Sequence, residues 1–467
     1  MKAIVVGGGP VGCLMAKRLR ERGFEVDVYE RAPDPREADS SRGHSYSFNL
    51  TLTLRGAGTL EPELRNRLWS AGVACTHRVV HHSDGTRTAQ PYGKDPEQHL
   101  LSISRSVLHR TMLDEAERAG VRIHFEHECV RVDAHTGRAV FIANSDGLLT
   151  READLVVGCD GASSVVRHEM SRGGSRLDIR QEFIEHGYVE LRIPPGEHGQ
   201  DRLGGSSRSG GEPRGLHVWP RGGSMLLAQP NRDRSYSVTL FLPVSAADPV
   251  EPSFDTLTRA VDVETFFRTR FPDAFPLLPH LTDEFLARPR ASLRIVKASR
   301  YHHGRAVLIG DAAHTMVPFY GQGINCGFED VHVFFDILDR LRARHDFVPQ
   351  AVAEFTAARL GPCHAITDLS RAHLARLSEP VEHADLRRRD RVEELVHKAH
   401  PDYFAPLYGA IAFSSVPYDE VIAAHDRGRK VLDDLFENLG RDVEPEEIAH
   451  RFARRMRASE AVALDDL

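Results

Sequence analysis

The chain has 467 residues, 41% of them hydrophobic and 27% charged, with a formal net charge of −7. That length gives two or three domains with ample core, and the acidic balance excludes a general nucleic-acid binder. No run approaches the roughly 20 apolar residues of a membrane span, and the first strand begins at residue 2, so a cytoplasmic protein without signal peptide is expected.

Lys2-Ala3-Ile4-Val5-Val6 reads as a buried parallel strand. Gly7, Gly9 and Gly12 follow with GxGxxG spacing. The first suits a tight turn, the second lets a pyrophosphate approach the backbone, and the third lets the helix pack on the strand. The helix runs from Val11 to about Glu21 and stops near Gly23. A second strand, Glu25 to Glu30, ends in an acid 21 positions after Gly9, near the roughly 20 expected for a residue that binds a ribose hydroxyl. Asp154 to Arg167 reads as an apolar strand, an acidic turn at Asp160-Gly161 and a short helix start. Tyr188-Val189-Glu190-Leu191-Arg192-Ile193 and Ser235 to Leu242 alternate like sheet strands that form one wall of a cavity. The Gly/Ser/Arg stretch from Gly204 to Gly215 reads as a loop. Strand Arg305-Ala306-Val307-Leu308-Ile309 runs into Gly310-Asp311, then into Val317-Pro318-Phe319-Tyr320-Gly321-Gln322-Gly323-Ile324-Asn325-Cys326. This construction suits a flavin dinucleotide. The Asp311 carboxylate can accept a hydrogen bond from a ribityl hydroxyl, and the loop and helix N-terminus aim N–H groups at negative charge on a reduced flavin. From about 346 onward the pattern is helical and the last residues are expected to fray. Arg387-Arg388-Arg389-Asp390-Arg391 and the basic residues of 451–457 read as solvated helix faces.

The three motifs, in this order and spacing, resemble the FAD-dependent aromatic hydroxylases of the p-hydroxybenzoate hydroxylase fold. Val317 to Asp330, Ser47 to Thr53, His186 to Pro194, Leu216 to Arg221 and Ala405 to Tyr408 are similar to the kynurenine 3-monooxygenase family. The fold implied is α/β: a Rossmann-like FAD-binding domain, an inserted β-sheet substrate domain and a C-terminal helical region. The FAD-binding domain is expected over 1–74, 101–177 and 288–345, the substrate domain over 75–100 and 178–287, and the helical region over 346–467. By this resemblance Gly7, Gly9, Gly12 and Glu30 hold the ADP half of FAD, and Asp160 contacts both FAD and NADPH. Asp311 holds the ribityl chain, Arg105 lies against FAD, and Gly323 and Asn325 belong to the flavin loop. Pro318, Phe319, Tyr320 and Gly321 line the flavin side of the substrate pocket.

The resemblance also implies that Arg78 and Tyr92 hold an amino-acid carboxylate and that Tyr408 adds a polar contact. Where the family pattern carries an asparagine after Asp-Leu-Ser, this chain has His373. The reaction implied is an NAD(P)H- and O2-dependent ring hydroxylation through a flavin C4a-hydroperoxide, with NADPH as co-substrate and NADH as the alternative. The substrate implied is kynurenine or a kynurenine-like amino acid, hydroxylated next to the ring amine. A hydroxylase of another aromatic or phenolic metabolite and a flavin-binding protein without turnover are the alternatives. A flavin halogenase is disfavoured, because Trp69 and Trp219 are the only tryptophans and a WxWxI motif cannot occur. Eukaryotic members carry a C-terminal membrane anchor, a pattern this chain is expected to lack. The six cysteines form no CxxC pair and the 26 histidines no HExxH, so reduced thiols and no metal are expected.

Overall fold

The computed structural model describes residues 1–37, 49–93, 98–143, 147–174, 176–204, 214–246, 248, 251–378, 383–400, 404–439 and 443–465. Ser47 and Phe48, most of the loop expected over 204–215, the side chains at 387, 390 and 457, and the end of the tail lie outside the described residues. The chain forms two compact units, Met1–Ser378 and Glu379–Leu467.

In the first unit a six-stranded sheet runs in the order His302–His303, Ala306–Leu308, Leu155–Gly158, Lys2–Val6, Glu25–Tyr29, Arg122–His124. Its strands pair in parallel except at the His302–His303 edge. The inner strands Lys2–Val6 and Leu155–Gly158 are apolar and buried almost throughout, as a parallel sheet covered on both faces requires. Helix Pro10–Glu21 starts with proline at its first position, where the missing N–H costs no hydrogen bond.

The second sheet has ten strands and forms the platform of the site. Its order is His314–Thr315, Ala291–Ala298, Ile179–Ile193, Tyr236–Pro243, Met225–Pro230, Arg214–Pro220, Val73–His81, Leu100–Ser104, Asn49–Leu52, with Arg87–Pro91 paired to Val73–His81. Strand alternation gives this sheet two apolar faces. On one, Trp219, Tyr236, Leu240 and Leu242 pack under helices Ala260–Arg270 and Leu281–Ala287, which contribute Phe267 and Phe285. On the other, Leu216, Val218, Phe241 and Leu293 meet Val317 and Phe319 of the loop after Asp311. The loop opens helix Gly323–Leu341, which packs along helix Phe347–Ser378.

The second unit is helical: His383–Ala399, Leu407–Phe413, Tyr418–Leu439 and Pro445–Asp465. Val392, Val396, Phe404, Leu432, Ile448 and Phe452 form its core.

Candidate active site

The N-terminal glycines divide into two kinds. A Cβ on Gly7 would lie 2.4 Å from the Cys159 carbonyl oxygen, and one on Gly12 would lie 2.1 Å from that of Gly7. Gly7 also takes φ +101°, a conformation side chains disfavour. These two glycines therefore close the turn onto the neighbouring strand. A Cβ on Gly9 would meet no atom within 4 Å, so the middle glycine faces open space at a helix N-terminus. Glu30 holds the rim: its carboxylate accepts from the N–H groups of Gly8 and Ala32, each at 2.8 Å.

Asp160 is turned inward. Its carboxylate accepts from the Ser164 hydroxyl at 2.5 Å and from the Val165 N–H at 2.7 Å, capping helix Val165–Arg172. Burial pushes its carboxyl pKa up, against these hydrogen bonds. Arg167, which the sequence did not single out, donates to the carbonyls of Ala162 and Ala312 at 2.8 Å and ties this turn to the Asp311 turn.

Asp311 is exposed to water, although protein crowds its carboxyl group. That crowding pushes its carboxyl pKa up, while His314, Arg105, Arg294 and Arg167 pull it down. Arg105 thus acts on Asp311, and it also acts on Tyr188 of the ten-stranded sheet, whose hydroxyl pKa is raised chiefly by burial. The turn is fixed from behind by Asp330, which accepts from the Gly310 N–H at 3.0 Å, His314 Nε2 at 2.6 Å and Arg359 Nε at 2.7 Å. Burial works against the Asp330 carboxylate, but His314 and Arg359 hold its pKa at about 2.

Pro318–Tyr320 forms a single helical turn closed by Gly321 at φ +63°. Asn325 anchors it: its amide donates to the carbonyls of Gly321 at 2.8 Å and Thr51 at 2.9 Å and accepts from the Thr53 N–H at 2.9 Å. The Asn325 side chain is therefore occupied by protein, leaving backbone N–H groups of the helix first turn to face a ligand. A Cβ on Gly323 would meet nothing within 4 Å.

Above this loop lies the apolar face of the ten-stranded sheet. The Phe319 ring is 4.9 Å from that of Phe241, which in turn lies 6.0 Å from Tyr188. Tyr320 meets His373 edge-on at 5.1 Å. Arg78 stands in register with Leu216 of this face, and Gln90 is its partner across the hairpin. The half-buried guanidinium donates through Nε, at 3.2 Å, and Nη2 to Gln90 Oε1. Among the described residues no carboxylate forms an ion pair with Arg78. Tyr92 follows two residues after Gln90, its N–H bonded to Thr76 O at 3.0 Å, so it shares that strand face. Tyr408 belongs to the second unit, half-buried on helix Leu407–Phe413. Of this apolar wall, Tyr188 and Phe241 were legible in alternating strands, and Leu216 only within a segment that carries the resemblance.

A family described as an FAD binding domain matches residues 1–183 and 277–342. Kynurenine 3-monooxygenase of Salinispora tropica is 38% identical over 436 residues, 92% of each chain. The enzyme of the same name from Sus scrofa is 36% identical over 433 residues, covering 92% of this chain and 87% of its own, and that from Candida albicans is 33% identical over 439 residues, 92% of each. The chain belongs to the kynurenine 3-monooxygenase family. It is an FAD-dependent aromatic monooxygenase. Among solved structures, 2-methyl-3-hydroxypyridine-5-carboxylic acid oxygenase aligns with TM-score 0.64 at 22% identity, over 81% of this chain and 92% of its own. P. aeruginosa PqsL, in complex with 2-aminobenzoylacetate, aligns with TM-score 0.63 at 19% identity, over 81% and 97%. These two likenesses establish the fold. The residues present fit FAD: two glycines face open space at helix N-termini, and the Asp311 side chain is open to water. Among the described residues no helix of this family member is long and apolar enough to cross a membrane.

Proposed function

We propose that this monooxygenase hydroxylates kynurenine, or a kynurenine-like aromatic amino acid, next to the ring amine, using NADPH and O2. The observation that carries the reading is Arg78. A half-buried guanidinium on an apolar wall, bonded to a neutral amide and to no carboxylate among the described residues, is matched by a substrate carboxylate. Tyr92 on the same strand face supplies a hydroxyl to that carboxylate. The aromatic ring then lies along Phe241, Tyr188 and Phe319, an apolar wall that shields the reacting ring from water.

FAD, when bound, supplies the redox chemistry with O2. Gly7, Gly9, Gly12 and Glu30 hold its ADP half, Asp311 a ribityl hydroxyl, and Arg105 its edge. The first turn of helix Gly323–Leu341, with Gly323 and Asn325, turns backbone N–H groups toward developing negative charge. Asp160 acts by positioning its turn. Pro318, Phe319, Tyr320 and Gly321 form the flavin side of the pocket. His373, against Tyr320, faces the amino-acid end of the substrate, and Tyr408 joins on the resemblance alone. On this reading the segments 1–74, 101–177 and 288–345 serve FAD, 75–100 and 178–287 serve substrate, and 346–467 is the helical remainder of a cytoplasmic enzyme acting on a small molecule.

The test is a substrate panel of kynurenine, methylated and halogenated kynurenines, anthranilate and simple phenols, read as ligand-stimulated NADPH oxidation. Stimulation by the kynurenines above the carboxylate-free phenols supports the reading. Equal stimulation by phenols contradicts it.

A further inference from the structure

Behind the flavin loop, outside the proposed catalytic groups, four buried side chains of metal-ligand type converge. His314, Cys326, Asp330 and Cys363 present ligand atoms that all lie within 4.8 Å of one another. All four are at most 1% exposed. They come from three segments: the strand after the Asp311 turn, the first turns of helix Gly323–Leu341, and the middle of helix Phe347–Ser378. In sequence they are too scattered to form a recognisable metal-ligand spacing, so no metal was expected.

We propose that these residues form a closed structural site for a thiophilic divalent cation, zinc foremost, that clamps the three segments behind the flavin loop. The set joins two soft thiolates to an imidazole and a carboxylate, the mixture that selects zinc over magnesium or calcium. The spacing agrees. Tetrahedral zinc with bonds of about 2.3 Å to sulfur and about 2.1 Å to oxygen requires sulfur–sulfur and sulfur–oxygen edges of roughly 3.6–3.8 Å. Cys326 Sγ lies 3.6 Å from Cys363 Sγ, and Cys363 Sγ lies 3.6 Å from Asp330 Oδ1. His314 Nδ1 lies 4.0 Å from Cys326 Sγ, and its Nε2 bond to Asp330 Oδ2 at 2.6 Å must open for His314 and Asp330 to reach the same ion.

The surroundings match the charge. Ligation requires both sulfurs as thiolates and His314 as the neutral imidazole, so whatever acidic protons these three groups carry leave to solvent as the dication enters. Two thiolates and one carboxylate around a dication leave one negative charge on the ligand set. Arg359 answers it, with Nη2 3.4 Å from Cys326 Sγ and Nε 2.7 Å from Asp330 Oδ1. Such N–H donors to ligand atoms are the outer contacts that orient a metal site. Arg359 Nη1 is in turn 2.8 Å from Glu329, which Arg55 meets from its other side at 2.7 Å, so the buried charges sum to zero.

The experiment is elemental analysis of the FAD-loaded enzyme purified without chelator, beside a Cys326→Ala/Cys363→Ala double variant. Alanine removes both ligands while keeping the positions small and apolar. The expected result is one zinc per chain in the wild type and none in the variant. Dipicolinate treatment should lower the wild-type Tm and leave the variant's Tm where it was. Cobalt loading of the wild type, which needs no variant to fold, should produce a thiolate-to-cobalt absorption band. A zinc-exposed wild type that holds no more metal than the double variant and gives no such band overturns the site, whether its thiols are then free or joined as a disulfide. None of these readouts is activity, so the outcome is separate from that of the substrate panel.

Discussion

Alanine at Gly9 and alanine at Gly12 should do opposite things, although only two residues separate them. Gly9 has φ −66° and ψ 172°, which alanine adopts without strain, and its added methyl would meet no protein atom within 4 Å. Gly9→Ala should therefore leave the stability of FAD-stripped protein unchanged to within about 1 kcal/mol. The methyl instead fills the space assigned to the pyrophosphate. Losing one charge-assisted backbone hydrogen bond of about 1.5–3 kcal/mol weakens FAD binding roughly 10- to 150-fold. At Gly12 the new Cβ would stand 2.1 Å from the Gly7 carbonyl oxygen, at least 0.9 Å closer than the 3.0 Å below which real contacts essentially never fall. Backbone must move, and overpacking of this kind costs about 1–3 kcal/mol of fold stability. Urea unfolding of stripped protein and fluorescence titration with FAD separate the two effects. A Gly9→Ala protein that binds FAD as tightly as the wild type, or a Gly12→Ala protein as stable as the wild type, would refute the reasoning.

Arg78→Ala should raise KM for a carboxylate-bearing substrate about 10- to 150-fold with FAD content unchanged, and lysine should restore only part of the loss because it lacks the planar fork; unchanged steady-state kinetics would sink the assignment. His373→Asn should shift kcat/KM toward unmodified kynurenine over the best other panel member by about 0.5–1.5 kcal/mol; a ratio that stays put makes His373 a packing partner of Tyr320. Burial, and then the neighbouring His81, push the His217 pKa down to about 3. The unfolded chain therefore takes up this proton first, near pH 6.5, and stability present above that pH declines as pH falls toward 3. Between pH 7 and pH 5 His217 should account for about 2 kcal/mol; a His217→Gln variant that loses as much stability over that interval as the wild type contradicts this.

What the sequence made legible was local. The GxGxxG turn and its flanking strands were readable because each glycine answers to a constraint within a few residues or on the adjoining strand. The acids were harder. Motif position marked Glu30, Asp160 and Asp311 alike, yet of the three only Asp311 is exposed to water; Glu30 is bonded to backbone N–H groups, and Asp160 caps a helix. Whether a carboxylate faces a ligand or a helix end depends on side-chain direction, which spacing does not encode. Asn325 was marked as a loop residue, but strand Asn49–Leu52, brought there by the ten-stranded sheet, takes up its amide together with Gly321. The least legible features join distant residues. His81 bonds Asp273 Oδ2 at 2.8 Å and His217 Nδ1 at 2.9 Å, and Trp219 donates to the same Asp273 oxygen at 2.9 Å. That network rests on the parallel pairing of Arg214–Pro220 with Val73–His81, which no local pattern reveals.

The central claim is that an aromatic amino acid, anchored by its carboxylate at Arg78, gains one hydroxyl group from O2 in this enzyme. Turnover of kynurenine with NADPH under isotopically labelled dioxygen, followed by mass spectrometry of the product, measures this directly. The account predicts one labelled oxygen on the ring next to the amine, in the wild type and, at much higher substrate concentration, in Arg78→Ala. NADPH consumption with no labelled product from kynurenine or any panel member that carries an amino-acid carboxylate would contradict it.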